Sequence, residues 1–349
     1  QAHVWPGVAD ATREHDANLV CFVGGALRSP NEFDAQRNVI YDLAGPENVD
    51  GLLVMSGSLG QFIGTEQLAR FYERYRPLPI VNIALALDGI PSVLVDNESG
   101  MRSALVHLIE VHRIRRIAYI RGSETNPEAE QRYHTYTRVL ADYGIPFDPN
   151  LVILGDFLAP SGVDAVHLLL DERKTEFEAI VAANDEMALG ALEALQERGI
   201  RVPDDMPVIG FDDIEEARFA TPPLSTVRQP LYEQGRRATE MLLALLAGED
   251  VPAQVTLPTE LVVRRSCGCL LQPAEKMLWK PGTLKPPLRR KRILSEMAEA
   301  AGTSAVGLSP EWAGQLLDAF SVALQRQSQG AFLAPLDAIL RQVGAKGHD

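Results

Sequence analysis

Two short polar residues, Asn184 and Asp212, carry the clearest chemical signal in this 349-residue chain. Each ends an apolar run: Ala-Ile-Val-Ala-Ala at 179–183 precedes Asn184, and Pro-Val-Ile-Gly-Phe at 207–211 precedes Asp212. Such runs read as strands buried on both faces of a parallel sheet. An amide and a carboxylate on rigid strand ends can hydrogen-bond the hydroxyls or amines of a small polar ligand. Ligands of open parallel sheets sit just outside those carboxyl ends. The competing use is helix capping, open to Asn184, Asp185, Asp212 and Asp213 alike. Capping is the commoner use of any one of them alone, but two consecutive strands ending in the same chemistry favour binding for the pair.

Other constellations are weaker. No Gly-x-Ser-x-Gly nucleophile elbow occurs. Gly57, Gly60 and Gly64 form a glycine loop without the Lys-Ser/Thr of a phosphate-binding loop. Cys267-Gly268-Cys269 lacks the second pair that a zinc site requires, and reads as structural or incidental. His107, His112, His134 and His167 are scattered over helices without ligand spacing. No pair of carboxylates can be assigned to acid/base work from spacing alone. The reading therefore names no catalytic residue, no metal ligand and no cofactor.

The element that must position Asn184 and Asp212 is residues 179–213, a strand–helix–strand unit. Met187, Leu189, Ala191, Leu192 and Leu195 fall largely on one helical face. Gly199 supplies a left-handed stop, and Pro203 prevents the helix from resuming. A crossover of this kind is right-handed and builds parallel sheet. Before it, helices are expected at 4–14, 31–43, 65–75, 98–111, 128–143 and 161–172. Strands are expected at 19–23, 49–55, 79–84, 92–96, 116–120 and 151–154.

Three motifs come in a recognisable order: Ala-Asn-Asp-Glu-Met-Ala-Leu-Gly-Ala at 183–191, Val-Ile-Gly-Phe-Asp-Asp at 208–213, and Thr-Pro-Pro-Leu-Ser-Thr-Val-Arg-Gln-Pro at 221–230. Over about residues 1–266 the chain resembles the effector-binding domain of the lac/galactose repressor family, which is itself similar to periplasmic sugar-binding proteins. The resemblance implies an α/β, two-lobed, periplasmic-binding-protein-like (type 1) fold, each lobe a parallel sheet flanked by helices, plus a C-terminal helical extension. It divides the chain into a first lobe of 1–122 and 231–255, a second lobe of 123–230 and 256–268, and a linker and helical extension over 269–349. A fold of this kind begins with a central strand. A helix comes first here, so residues before Gln1 are expected in the natural protein.

Position by position, the resemblance implies a ligand-binding set of Arg132, Phe157, Asn184, Asp212, Leu231 and Tyr232. Arg132 would bridge ligand hydroxyls with its guanidinium fork, although a surface helix arginine has the same local pattern. Phe157 would stack on a ligand ring, although a core aromatic would read alike. Asn184 and Asp212 would supply polar contacts, and Leu231 with Tyr232 an apolar or aromatic wall. Where sugar-binding members often carry an aspartate at the end of the 79–84 strand, this chain has Ala84. That loss weakens the case for a galactose-like sugar and leaves sugars, nucleosides and other small polar ligands open.

Charge separates body from tail. The net charge is −14, yet residues 270–349 hold 10 Lys+Arg against 7 Asp+Glu, leaving 23 against 40 for the rest. So acidic a body repels a phosphate backbone. The tail opens with Pro273, Pro281-Gly282, Pro286-Pro287 and the basic run 289–292, which is linker composition. Helices are expected after it at 293–301, 310–326 and 332–343. No apolar run approaches the ~20 residues of a membrane helix, and three cysteines make no disulfide framework. A cytoplasmic protein without membrane contact is expected.

The functional expectation is a sensing domain, not an enzyme, of a signalling or transcription-regulating protein. A small polar ligand would shift an open/closed equilibrium of the lobes. The partners implied are that ligand, a second copy of the chain as homodimer, and a downstream output domain or an upstream DNA-binding domain outside this chain. The alternative is a ligand-responsive repressor whose helix-turn-helix lies outside the chain. An enzyme of the same fold, such as a sugar hydrolase, ranks last.

Overall fold

The computed structural model describes residues 4–29 and 32–269. The helices expected at 293–301, 310–326 and 332–343 lie outside the described residues. Two parallel sheets organise what is described, each with its own core. The first has the order β1–β2–β3–β9, with β1 Leu52–Met55, β2 Ile80–Ile83, β3 Ser92–Val95 and β9 Gln254–Leu257. The second has the order β5–β4–β6–β7, with β4 Ile117–Arg121, β5 Val152–Leu154, β6 Ala179–Ala182 and β7 Val208–Ile209. A third, antiparallel pair joins β8 Thr226–Arg228 to β10 Glu260–Val262.

The helices are α1 Val4–Glu14, α2 Glu32–Arg37, α3 Ser56–Leu59, α4 Thr65–Tyr72, α5 Asn97–Glu110, α6 Pro127–Asp142, α7 Ala159–His167, α8 Asp185–Glu197, α9 Glu215–Phe219 and α10 Leu231–Leu246. In the first lobe, Val4 and Val8 of α1 and Ala238, Met241 and Leu242 of α10 pack with Val81, Ile83 and Val93 of the sheet. The larger core belongs to the second sheet. There the fully buried runs of β4 and β6 meet Leu105 and Leu108 of α5, Tyr136 and Val139 of α6, and Ala188 and Leu195 of α8. Apolar content on both faces is what a parallel strand covered by helices requires.

Three expectations are corrected. The first lobe does not extend to residue 122. The chain crosses at 96–97, because β4 pairs with β5 and β6 of the second sheet and α5 packs into the second core. Residues 92–121 read locally as strand–helix–strand whichever sheet receives the last strand, so local pattern could not place the boundary. The last crossing also comes later, since β9 pairs with β3 through Leu257 before β10 turns to β8. Residues 19–23 join no sheet among the described residues, and Val20 and Val23 are exposed. A short apolar run becomes a strand only where an edge accepts it.

The crossings are tied together. Asp96 caps α5 by accepting from Ser99 N at 2.9 Å, and its own carbonyl accepts from Thr259 Oγ1 at 2.8 Å. Asp213 sits beneath the third strand pair, where Arg228 Nε donates to its carboxylate at 2.6 Å and Arg264 Nη2 donates to the other oxygen. Burial would raise the pKa of Asp213, but the hydrogen bonds from Arg264 and Arg228 outweigh it and hold the carboxyl below its usual range.

Candidate ligand-binding cleft

The carboxyl ends of β3, β6 and β7 converge on one side chain, Arg132 of α6. Its helix starts at a clean signal, Asn126 capping Ala129 N at 3.0 Å with Pro127 in the first turn. That start places Glu128, Gln131 and Arg132 on the opening turns, beside the lobe junction. Arg132 is only 4 % exposed. Its Nε donates to Asn97 Oδ1 at 2.7 Å, just beyond β3, and Nη1 donates to the Ala183 carbonyl at 2.7 Å, just beyond β6. Its guanidinium carbon lies 3.9 Å from the ring centroid of Phe211, and Nη1 lies 4.0 Å from Asp212 Oδ1, both just beyond β7. Nη2 makes no hydrogen bond to a described residue.

Asp212 takes a left-handed backbone, φ 130°, and Gln229 Nε2 donates to its Oδ1 at 2.5 Å. Burial pushes its pKa up to about 6, against the pull of Arg132 and Gln229. Burial also raises Glu128, whose Oε1 accepts from Asn97 Nδ2 at 3.3 Å. Across the junction, a Cβ placed on Gly57 would lie 3.1 Å from Ala84 Cβ and 3.4 Å from Glu128 Oε2. Thr125 Oγ1 donates to the Gln61 carbonyl at 3.1 Å. The first-lobe segments after β1 and β2 therefore meet the start of α6.

Asn184 has a second occupation. Its Oδ1 accepts from Met187 N at 3.1 Å, capping α8, and its Nδ2 donates to the Phe157 carbonyl at 2.9 Å. Phe157 has φ 71°, rare for a bulky residue, and its ring occupies the space a side chain on Gly122 would need. Asn184 thus holds the segment that aims Phe157, next to Ala129 of α6. Asp185 is buried, accepting from Ile214 N at 3.0 Å and from Thr226 Oγ1, and burial with the nearby Asp212 charge raises its pKa to about 7. Of the pair Asp212-Asp213, only the first faces Arg132; the second anchors Arg228 and Arg264.

The wall residues separate. Leu231 packs at the edge of the first core, its N–H donating to the Gln229 carbonyl at 2.9 Å. Tyr232 is 43 % exposed and donates its hydroxyl to Asp10 of α1 at 3.1 Å. One residue along a helix is a turn of about 100°, so the two cannot share a face. Asn97, Glu128 and Gln229 were not among the sequence-derived candidates. The rule that singled out Asn184 would also have found Asn97, two residues beyond the last residue of β3. Depressions of about 630 Å³ beside Glu110 and Tyr143, and of about 340 Å³ beside Asp88 and Gln254, lie away from these residues.

Residues 105–267 match the periplasmic binding protein-like domain family. The transcriptional repressor PurR of Vibrio atlanticus (strain LGP32) is 33 % identical over 252 residues, 71 % of either chain. The chain belongs to the lac repressor family. Within it, the regulator CelR of Thermobifida fusca is 37 % identical over 229 residues, 64 % of this chain and 65 % of CelR. The chain thus spans less than two thirds of that relative's length. A solved CelR–cellobiose complex superposes with a TM-score of 0.65 at 33 % identity, covering 76 % of this chain and 78 % of the other. The family's two-lobed fold is the one described above, and PurR and CelR are named as helix-turn-helix-type transcriptional regulators. Among the described residues, no helix is long and apolar enough to cross a membrane.

Proposed function

We propose that this domain senses a small polyhydroxylated ligand, of the sugar or nucleoside class, between its two lobes, and that binding shifts an open/closed equilibrium read by the rest of a regulatory protein. The observation that carries the reading is the fixed guanidinium of Arg132, set among the amides of Asn97 and Gln229 and the carboxylates of Glu128 and Asp212. Paired donors and acceptors in a partly dehydrated gap suit vicinal hydroxyls, each of which gives and takes a hydrogen bond. Phe157 supplies an aromatic face for a ring. The chain is read as a receptor.

The output reading is twofold. The helix-turn-helix-type names of the relatives favour a repressor whose DNA-reading part lies outside this sequence; residues 1–269, with 23 basic against 40 acidic side chains, are unsuited to bind DNA themselves. The linker composition after Cys269 favours coupling to a downstream signalling module instead. In either case the chain acts as a homodimer in the cytoplasm. Calorimetric titration with a panel of mono- and disaccharides and nucleosides tests the sensor reading. Saturable binding by one class, abolished in Arg132→Ala with the fold intact by circular dichroism, is expected. Binding by no member of the panel, or binding indifferent to Arg132, overturns it.

A further inference from the structure

Far from the cleft, at the other end of α5, four side chains point at one another. His107 lies in the last turn of α5, His112 just beyond it, and Cys267 and Cys269 end the described chain. One donor atom from each lies within 4.8 Å of all the others. Cys269 Sγ is 3.2 Å from Nε2 of His112 and 3.2 Å from Nε2 of His107. The imidazoles meet edge to face, with centroids 5.1 Å apart. Cys267 is fully buried and the other three are partly so.

We propose that His107, His112, Cys267 and Cys269 form a structural Cys₂His₂ site for zinc. Tetrahedral zinc with bonds of about 2.0–2.3 Å needs neighbouring donors about 3.3–3.8 Å apart, so the observed cluster closes on the ion with shifts of about an ångström or less. The donor set is the one zinc prefers: two soft thiolates and two imidazoles in a partly dehydrated pocket. The turn is built for it. Gly268 has φ 99°, and a Cβ there would press to 3.3 Å of the His112 ring. Glycine therefore lets the two thiols flank one point without displacing the ring. The cysteine pair does have its second pair of ligands, supplied by a helix end 157 residues away in sequence.

Both thiols bind as thiolates and release their protons to solvent, so the ion gains four protein ligands and no redox change occurs. The ion ties the point where the chain leaves the domain, toward 270–349, to the helix whose first residue, Asn97, holds Arg132. Zinc held only by the folded chain stabilises it by an amount that grows with the logarithm of metal affinity.

The test uses the full chain, purified under reductant without chelator and without a histidine tag. Elemental analysis is expected to find one zinc per chain. Replacement by Co²⁺ is expected to give the thiolate charge-transfer band and intense visible bands of a tetrahedral site. Cys269→Ser and His112→Ala should each weaken zinc binding by about 100-fold or more, since even supporting residues around a metal contribute 10–100-fold. Circular dichroism checks that these variants fold. Should either fail to fold, the cobalt spectrum of the unaltered chain decides, and absence of the thiolate band overturns the site. So does a chain that takes up no zinc at micromolar free metal, or uptake that survives Cys269→Ser combined with His112→Ala.

Discussion

Arg132 and Asp212 stand 4.0 Å apart, Nη1 to Oδ1, near enough to set each other's charge and too far for a direct hydrogen bond. Each is held by other partners: the guanidinium by Asn97 and the Ala183 carbonyl, the carboxylate by Gln229. On the proposed reading, a ligand hydroxyl would bridge them, accepting from one and donating to the other.

Arg132→Lys tests that geometry. Lysine keeps the charge but loses the fork that spans Asn97, Ala183 and the ligand. Affinity in calorimetry is expected to fall about 100-fold, roughly 2.7 kcal/mol, with the circular dichroism unchanged. Undiminished affinity would mean that charge alone matters at this position.

If Asp212 contacts the ligand as proposed, its raised pKa gives binding a pH dependence. A hydroxyl donates to the ionised carboxylate and not to a protonated one as well, so binding favours the deprotonated form. Affinity is expected to rise as pH increases through about 6 and to level off above it. Proton release on binding, read from titrations in buffers of different ionisation enthalpy, should accompany it below that point. Asp212→Asn should flatten the profile and bind more weakly at neutral pH.

Asn184 offers a control for structure against binding. Its side chain caps α8 and holds the Phe157 carbonyl, so Asn184→Ala should lower unfolding stability by about 1–2 kcal/mol in urea titration. Asn184→Asp, which keeps the cap acceptor, should lose less. If Asn184→Ala leaves stability intact and removes binding, the cap is incidental and the amide is a ligand contact.

Asp213 is a buried anion beneath the β8–β10 pair. Its side chain is 1 % exposed, with Arg264 and Arg228 paired to it. Asp213→Ala strands those guanidiniums and should cost about 3 kcal/mol, the low end for a buried pair because Arg228 is partly solvated. Its pKa is depressed, so the stability it contributes is full above its usual value of 3.8 and lost as pH falls toward the depressed one. Acid unfolding of Asp213→Asn should be correspondingly less steep.

Asp185 runs the opposite way. Its folded pKa, about 7, lies above its usual 3.8, so the folded chain holds a proton that the unfolded chain has released. That stability is present below about pH 4 and is lost as pH rises through about 7. A denaturation series from pH 5 to pH 8 should show the decline, and Asp185→Asn should lessen it, leaving the part due to Asp212, whose pKa is raised as well.

Much of this was legible in residue order. The buried strands ending at 183 and 211, the helix between them and the polar residues beyond each strand are local patterns, and the family motifs sit on them. Arg132 and Phe157 were named only through resemblance, since an arginine on a helix and an aromatic in a loop look alike wherever they point. Leu231 and Tyr232 point different ways because one residue along a helix turns the side chain by about 100°.

Residue order by itself determined the element types, the parallel character of the sheets and the acidic body, because periodicity, caps and charge act within a few residues. Tertiary structure alone decided which sheet received β4, what Arg132 leans on, and that His107 and His112 meet Cys267 and Cys269. Those outcomes depend on burial and pairing between segments up to 162 residues apart, and no local window of sequence carries the energy of a contact made at that distance.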